Sequence, residues 1–414
     1  MKMSFLHVNK IYLIFTTIFF ATGLNCSRGG LLSEKYPEEF YKVPKLLPDT
    51  MFENNSTFIV YSDNQAGWRV RDVFWKKSNW TNWKMLIFPF YELYLVGNGI
   101  IGSINRLRSV PDYGEKERLL IRDAVYAEAK HSGSKFILNV GDITAHDGRR
   151  PDHWAMFLRE NKHEHPLLNE IPYLTAIGNH EYGNDLKYGY LNYQAIFDYP
   201  RFYVIEFPDA AIYVVDSNYI LDQNQFINDS LQNQLFVKWF VSEDGSAWLE
   251  QQLITYNKPF KIVAMHHPPI TFGKHHKDWL RSKFGQNLLE KRNKLLELFE
   301  KYHVQVVFSG HEHVYQHNIL KHDSGRMTHF LVGGGGGTPL RELSSKKTQQ
   351  KRQQHFDEQG LQVSSIRQEK IYHFYQVDVK KNEISIKVQE VTGNKNAPIR
   401  LVEEIRISSK KLKK

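Results

Sequence analysis

Five short polar segments carry the side chains that can do chemistry. They are Tyr61-Ser62-Asp63-Asn64-Gln65, Gly141-Asp142-Ile143-Thr144, Gly178-Asn179-His180-Glu181, Met265-His266-His267-Pro268 and Gly310-His311-Glu312-His313. Each follows an apolar run that reads as a strand, so each sits where a strand leaves a sheet. One such segment means little; five argue for one metal site built from strand ends. Asp, Asn and His offer oxygen and nitrogen ligands, and the only cysteine, Cys26, lies near the N-terminus. That donor set disfavours a closed structural zinc cage and points to an open catalytic site for Zn, Mn, Fe or a similar ion. Two ions about 3.5–4 Å apart need a bridging anion, and Asp142 is the natural bridge. His311 and His313 are two positions apart. On an extended segment both rings point the same way and can serve neighbouring ions.

Alternating strand and helix patterns supply the elements that must position these groups. Strands are expected at Ser56–Tyr61, 135–140, 171–177, Phe260–Met265, 304–308 and 328–332. Helices are expected at 115–130, 153–161, 246–256 and 288–303; in the first, Leu119, Leu120, Ala124 and Ala127 recur at helical spacing. A strand pair is expected at 201–207 and 211–216, and a closing hairpin at 372–379 and 383–390. The alternation implies α/β layering within one domain, residues 56–395. Residues 26–55 read as a tether, 344–362 as a polar surface insertion and 396–414 as a basic C-terminal tail. Residues 68–107 are rich in Trp and Phe and show no clean period. They are either an aromatic cap over one side of the site or an irregular insertion.

Residues 1–25 read as a signal peptide. Lys2 and Lys10 are basic, and 11–24 is an uncharged apolar run too short for a membrane span. Gly23-Leu24-Asn25-Cys26 resembles a relaxed lipobox. Cys26 is therefore expected to be a lipidated new N-terminus, with plain secretion or an uncleaved anchor as alternatives. A lipid there would tether the exported chain to a cell-envelope membrane, on its periplasmic or surface face, without a spanning helix. A single Cys excludes an internal disulfide. The 414 residues are 41% hydrophobic and 24% charged, which allows a large core and argues against wholesale disorder. The net charge of +9 is raised by basic runs at 346–352 and 410–414. These read as solvated loop and tail, with attraction to an anionic lipid or substrate as the alternative. There is no zinc-finger spacing and no basic–aromatic interleaving, so no nucleic-acid partner is expected.

The five segments in this order, a Trp248-Leu249 helix before the His266 strand and glycines 333–337 give the sequence a family likeness. It resembles the calcineurin-like metallophosphoesterases, the superfamily of the purple acid phosphatases, over roughly residues 56–390. The resemblance implies an α/β fold of two mixed β-sheets packed as a sandwich and flanked by helices, in four layers. It implies two divalent or trivalent ions (Mn, Zn, Fe or similar). Asp63, Asp142 and His313 would hold the first, with Gln65 as a further ligand. Asp142, Asn179, His266 and His311 would hold the second. A hydroxide between the ions would attack phosphorus in line, and His180 would assist the leaving group. His267 would stand behind the ligands or touch substrate. The implied activity is hydrolysis of a phosphate ester, monoester versus diester open.

Two positions depart from the family pattern. Gln65 stands where most members have His; its neutral carbonyl can still bind, and it should weaken the first site or shift it toward Mn or Mg. Ala145 stands where many members carry an acid that orients the catalytic His, and where purple acid phosphatases carry a Tyr. The missing Tyr argues against that subgroup. Asp147 is the first candidate to orient His180 instead, with His146 and Glu181 as others. These departures motivate a second expectation, a metal-binding relative that has lost catalysis and acts as a surface scaffold or interaction protein. Glycines 333–337 lack a P-loop Lys and are expected to pack closely beside the site. His275, His276 and His317 are expected to be structural, and Arg149 and Arg150 solvated.

Overall fold

The computed structural model of the chain describes residues 29–44, 52, 55–67, 114–145, 148–183, 186–218, 245–280, 282–283, 286–394 and 398–409. The expected signal peptide 1–25, Cys26, residues 68–107, His146, Asp147 and the basic end 410–414 lie outside the described residues.

The strands are β1 (Ser56–Tyr61), β2 (Ile137–Asn139), β3 (Tyr173–Thr175), β4 (Tyr203–Glu206), β5 (Ala210–Val215), β6 (Phe260–Met265), β7 (Ser282–Lys283), β8 (Gln286–Asn287), β9 (Val306–Ser309), β10 (Tyr315–Lys321), β11 (Met327–Val332), β12 (Gln362–Glu369), β13 (His373–Lys380), β14 (Glu383–Val391) and β15 (Ile399–Ser408). The main helices are α1 (Glu115–Ser132), α2 (Pro151–Leu158), α3 (Asn179–Tyr182), α4 (Leu186–Phe197), α5 (Gly245–Thr255), α6 (Leu288–Tyr302) and α7 (Lys346–Asp357). One sheet has six strands in the order β15-β14-β13-β1-β2-β3, and the other has seven, β12-β10-β11-β9-β6-β5-β4. Both are mixed: β1, β2 and β3 run parallel while β13 is antiparallel to β1, and β5, β6, β9 and β11 run parallel beside antiparallel partners.

Side-chain alternation sorts the strands into layers. Phe58 and Val60 of β1 face the inter-sheet core with Ile212, Val214, Ile262 and Phe308 of the other sheet. Their neighbours Ile59 and Tyr61 face outward, under Ile121 and Val125 of α1 and Trp154 and Phe157 of α2. On the far side Tyr213, Val215, Val263 and Met265 are covered by Leu249 and Leu253 of α5 and Leu295 and Phe299 of α6. The parallel strands are thus buried on both faces, which is why they read as continuous apolar runs. The result is the expected α/β sandwich of two mixed sheets flanked by helices. Among the described residues no helix is long and apolar enough to cross a membrane.

Three segments assigned outside the domain core are integral to it. Residues 29–44 of the expected tether are docked rather than free. Leu32 is fully buried, its N–H donates to Asn192 Oδ1 at 2.8 Å, and Val43 N donates to the Ile196 carbonyl at 3.0 Å. The expected surface insertion 344–362 contains α7, capped by Ser345, whose hydroxyl accepts from Thr348 N at 3.3 Å. Phe356 nails that polar helix to the outer core. The expected tail 396–414 contains β15, which pairs antiparallel with β14 from Ile399 to Ser408 as the edge of the six-stranded sheet.

Candidate metal centre

Strands β1, β2, β3, β6 and β9 end side by side, and the polar segments leave them at one edge of the two sheets. The loops then lock to one another through the backbone. Asp63 N donates to Gly141 O at 3.0 Å, Gln65 N to Asp142 O at 3.0 Å, and Gly310 N to His266 O at 3.0 Å. Gly310 is needed for close approach: a Cβ there would stand 2.4 Å from Asp63 Oδ2.

Side chains from all five segments meet here. His311 N donates to Asp63 Oδ2 at 3.0 Å, and His313 Nε2 lies 3.4 Å from Asp63 Oδ1. His266 Nε2 lies 3.3 Å from Asp142 Oδ1, while its Nδ1 pairs with Val140 O at 2.9 Å. His180 N donates to Asp142 Oδ1 at 3.0 Å, and its ring, partly exposed, has Nε2 3.7 Å from Asp142 Oδ2. Asn179 opens α3 beside it, with its Oδ1 buried. The amide of Gln65 reaches the same place nitrogen first. Nε2 donates to Asp142 Oδ2 at 3.1 Å and lies 3.2 Å from His313 Nε2, while Oε1 accepts from Thr338 Oγ1 at 2.7 Å. Ligation through oxygen requires the amide turned over, and the Thr338 hydroxyl can then accept from Nε2.

One expectation is corrected. His311 and His313 are not on an extended segment. Both have positive φ, in a tight turn where Glu312 N donates to Gly310 O at 2.9 Å. The two rings therefore take different partners: His313 faces Asp63 and Gln65, and His311 packs at 4.6 Å from the His267 ring.

The donors fit a metal centre. Among these side chains Asp63 Oδ1, Asn179 Oδ1 and His266 Nε2 are buried and make no hydrogen bond. Such atoms are costly to leave without a partner, and carboxylate, amide oxygen and imidazole are what Zn, Mn or Fe accept. One donor atom each of Asp63, Asp142 and His266 lie within 4.8 Å of one another, as do those of His266, His267 and His311. His266 belongs to both groups, and the Asp142 carboxylate lies beside it, with Oδ1 3.3 Å from its Nε2.

The electrostatics agree. Burial alone would raise the Asp142 carboxyl, but the His180 and His266 rings hold it well below the usual carboxylate range. Burial lowers His311 and His313, so both rings are neutral and keep a lone pair. Burial opposes charge on His266 too, yet Asp142 and Asp63 outweigh it and push the ring up to about 9. His267 is driven down to about 3 by burial and by its neighbour His266.

Glu181 does not orient the His180 ring. Both its oxygens are committed to backbone: Oε2 accepts from Gly178 N at 2.7 Å and Asp142 N at 2.8 Å, and Oε1 accepts from Ile143 N at 2.7 Å and Thr144 N at 3.1 Å. It welds the Asp142 loop to the Asn179 loop. Burial and the Asp142 charge raise its carboxyl to about 7. Asp147 lies outside the described residues; nearby, Gly148 N fixes the His180 carbonyl at 2.8 Å.

Several supporting residues escape sequence reading. Ser217 holds His267 twice: its hydroxyl pairs with Nδ1 at 2.8 Å and accepts the His267 N–H at 3.0 Å. Asp216-Ser217-Asn218 follows β5 and has the same polar strand-end form as the five segments, so that signal was available. Thr338 and Asp278, which touch Gln65 and His311, sit in segments with no such mark. The glycine run packs closely beside the site as expected: Gly336 N donates to Ser62 O at 2.9 Å, and a Cβ on Gly334 would meet His313 N at 2.4 Å. Arg150 pairs with Asp152 at 2.9 Å.

Comparison with known proteins agrees with this geometry. The family described as calcineurin-like phosphoesterase matches residues 116–315. Acid phosphatase type 7 of Homo sapiens is 26% identical over 298 residues, 70% of this chain and 58% of that protein. "Probable inactive purple acid phosphatase 27" of Arabidopsis thaliana is 26% identical over 236 residues, 51% of this chain and 36% of that protein. The chain thus spans less than two thirds of the length of either relative. A purple acid phosphatase from yellow lupin (Lupinus luteus) seeds shares the fold, with a TM-score of 0.52 at 14% identity, over 88% of this chain and 55% of that one. The Arabidopsis thaliana and lupin proteins carry the name of the subgroup that Ala145 argued against. Ala145 is fully buried, its N–H donates to Ala66 O at 2.8 Å, and it offers no phenolate. The likeness is therefore one of fold, and the calcineurin-like phosphoesterase family is what residues 116–315, just under half of the chain, are similar to.

Proposed function

We propose that the chain hydrolyses a phosphate ester at a centre of two metal ions. Asp63, Asp142 and His313 would hold one ion, with Gln65 at its side, and Asp142, Asn179, His266 and His311 the other. The observation that carries this reading is the trio of buried donors without hydrogen bonds, Asp63 Oδ1, Asn179 Oδ1 and His266 Nε2, among residues from five separate loops. Bound ions would neutralise charge on the phosphate oxygens and acidify a water enough to attack at neutral pH. The protein's own part is to hold the donors rigidly and to present His180. That ring borders Asp142 and remains partly open to solvent, where a leaving oxygen can take its proton.

The test is hydrolysis of p-nitrophenyl phosphate and bis-p-nitrophenyl phosphate by metal-stripped protein, with Mn, Zn, Co and Fe added back singly. Turnover restored by at least one ion is expected, and the two substrates separate monoesterase from diesterase. No turnover with any ion, while ions still bind, sinks the enzyme reading. It would favour the second one, a metal-binding surface scaffold without catalysis. The Gln65 amide nitrogen facing the centre and the alanine at 145 are the observations on its side.

In this reading the enzyme is exported and held at a cell-envelope membrane by a lipid on Cys26. The basic Lys2 and Lys10, the apolar run 11–24 and the position of Cys26 support it. Mass spectrometry of the mature N-terminus decides, since an unmodified residue other than Cys26 there ends the lipoprotein part.

A further inference from the structure

His311 is gripped from outside the five segments. The turn Lys274–Leu280 runs past the centre and is fixed by Trp279, which is buried and whose Nε1–H donates to Pro268 O at 2.8 Å. Next to that anchor, Asp278 Oδ2 lies 3.0 Å from His311 Nε2 and 2.7 Å from His275 Nδ1. The same turn also holds the neighbour of His311: Glu312 Oε1 accepts from His275 N at 3.0 Å and from Thr271 Oγ1 at 2.7 Å. A carboxylate oxygen only accepts, so His311 Nε2 must carry a proton, and Nδ1 is left with the lone pair.

We propose that Asp278 is a positioning residue for the metal centre: it takes the Nε2–H of His311, fixes that tautomer, and aims Nδ1 at an ion. Histidine ligands commonly donate their other ring N–H to a carboxylate, which sets ring orientation and strengthens the ligand. His275 steadies Asp278 on its other side. The cluster of His275, Asp278 and His311 has the composition of a further ion site, but Arg341 argues against one. Its guanidinium donates to His275 Nε2 and, at 3.2 Å, to the His311 carbonyl, so a fixed positive charge stands where a cation would bind. The proposal rests on His311 being a ligand, as in the proposed function.

The test titrates the metal-stripped full chain with Co²⁺, followed by visible absorption and calorimetry, which needs no substrate. Wild type is expected to take two ions. Asp278→Ala is expected to weaken one of them by about 10–100-fold, with the other held within about twofold and the melting temperature little changed. Asp278→Asn keeps an acceptor without its charge, so it should lose a smaller factor at the same ion alone. Two wild-type affinities in Asp278→Ala overturn the proposal. If that variant does not fold, two wild-type affinities in Asp278→Asn overturn it instead. A third ion in wild type that Asp278→Ala abolishes overturns it in favour of an ion site. A wild-type chain that binds no ion sinks the two-metal reading and the brace together. Two ions in wild type, unchanged in the variants, sink the brace alone.

Discussion

Asp63, Gln65, Asp142, His311 and His313 hold φ between 49° and 74°, a region rarely adopted by residues with a Cβ. Each such residue costs about 1–3 kcal/mol and persists only where its surroundings over-determine it. Here the loops determine one another: His311 N is held by Asp63 Oδ2, Thr338 N by Asp63 O and Arg341 N by His313 O. Strain concentrated on the proposed ligand positions would preorganise the centre, since the donors could not relax toward better backbone geometry and away from an ion. Gln65 is the weak member, a neutral amide presenting its nitrogen. In Gln65→His the added imidazole bond needs to be worth only about 1.4 kcal/mol to tighten the first ion tenfold. A Co²⁺ titration checks this; an unchanged first affinity would remove position 65 from the metal shell. In the proposed reaction His180 would act on the leaving group rather than on the ions. His180→Asn should therefore lower kcat by about 10²–10⁴-fold on an alkyl phosphate. The loss should be far smaller on p-nitrophenyl phosphate, whose leaving group needs no proton. Equal losses on both substrates, or loss of bound metal, would give His180 a different role.

At the level of elements, the strands that deliver the donors were readable because each is buried on both faces and ends in a polar run. The tight turn that carries His311 and His313 was not readable. Their left-handed backbone is imposed by Asp63, 248 positions away, and nothing in a His-x-His string announces it. Helix α7 was hidden by composition: its only buried residue is Phe356, so it shows polar bias rather than period. Strand β15 carries its apolar residues among charges because an edge strand is covered on one face only, with Ile405 buried and Leu401 exposed. The segment 29–44 was read as a tether because it is polar overall and carries Pro37 and Pro44, yet a buried side chain helps to clip it down. Asn192 is buried; it accepts from Leu32 N and donates to Gly30 O at 2.9 Å and Gly148 O at 3.0 Å. Asn192→Ala leaves those buried groups without partners, at about 1–3 kcal/mol. Limited proteolysis should then cut within 29–44 well before the rest of the domain. Wild-type resistance there in the variant would mean that the packing of Leu32, Tyr36, Phe40 and Val43 holds the segment without Asn192.

On the scale of the whole molecule, acid should be the weak side of its stability, for a reason spread over both sheets. His276 beside Trp279, His329 on β11 and His373 on β13 are each driven by burial down to about 4, from an ordinary value near 6.5. His276 also feels Arg352, His329 feels His317, and the Thr271 and Ile371 carbonyls only partly offset burial at His276 and His373. The folded chain keeps these rings neutral where the unfolded chain protonates them. Between about pH 6.5 and pH 4 the unfolded state therefore binds more protons, and stability falls as pH falls; above about pH 7 these groups contribute no slope. Each ring can add up to about 1.4 kcal/mol per pH unit within that window. No proposed ligand is among the charges that shift His276 and His329, and only Asp63 acts on His373, so most of the acid limb should survive in metal-stripped protein and be shared by the loaded one. The melting temperature of the stripped chain, followed from pH 8 to pH 4, should stay level and then drop below about 6.5. His329→Gln removes one titrating ring at a partly exposed strand position, so its limb should be shallower than that of wild type. A melting temperature that is flat to pH 4, or a variant limb as steep as wild type, would mean that these buried histidines do not set the acid stability.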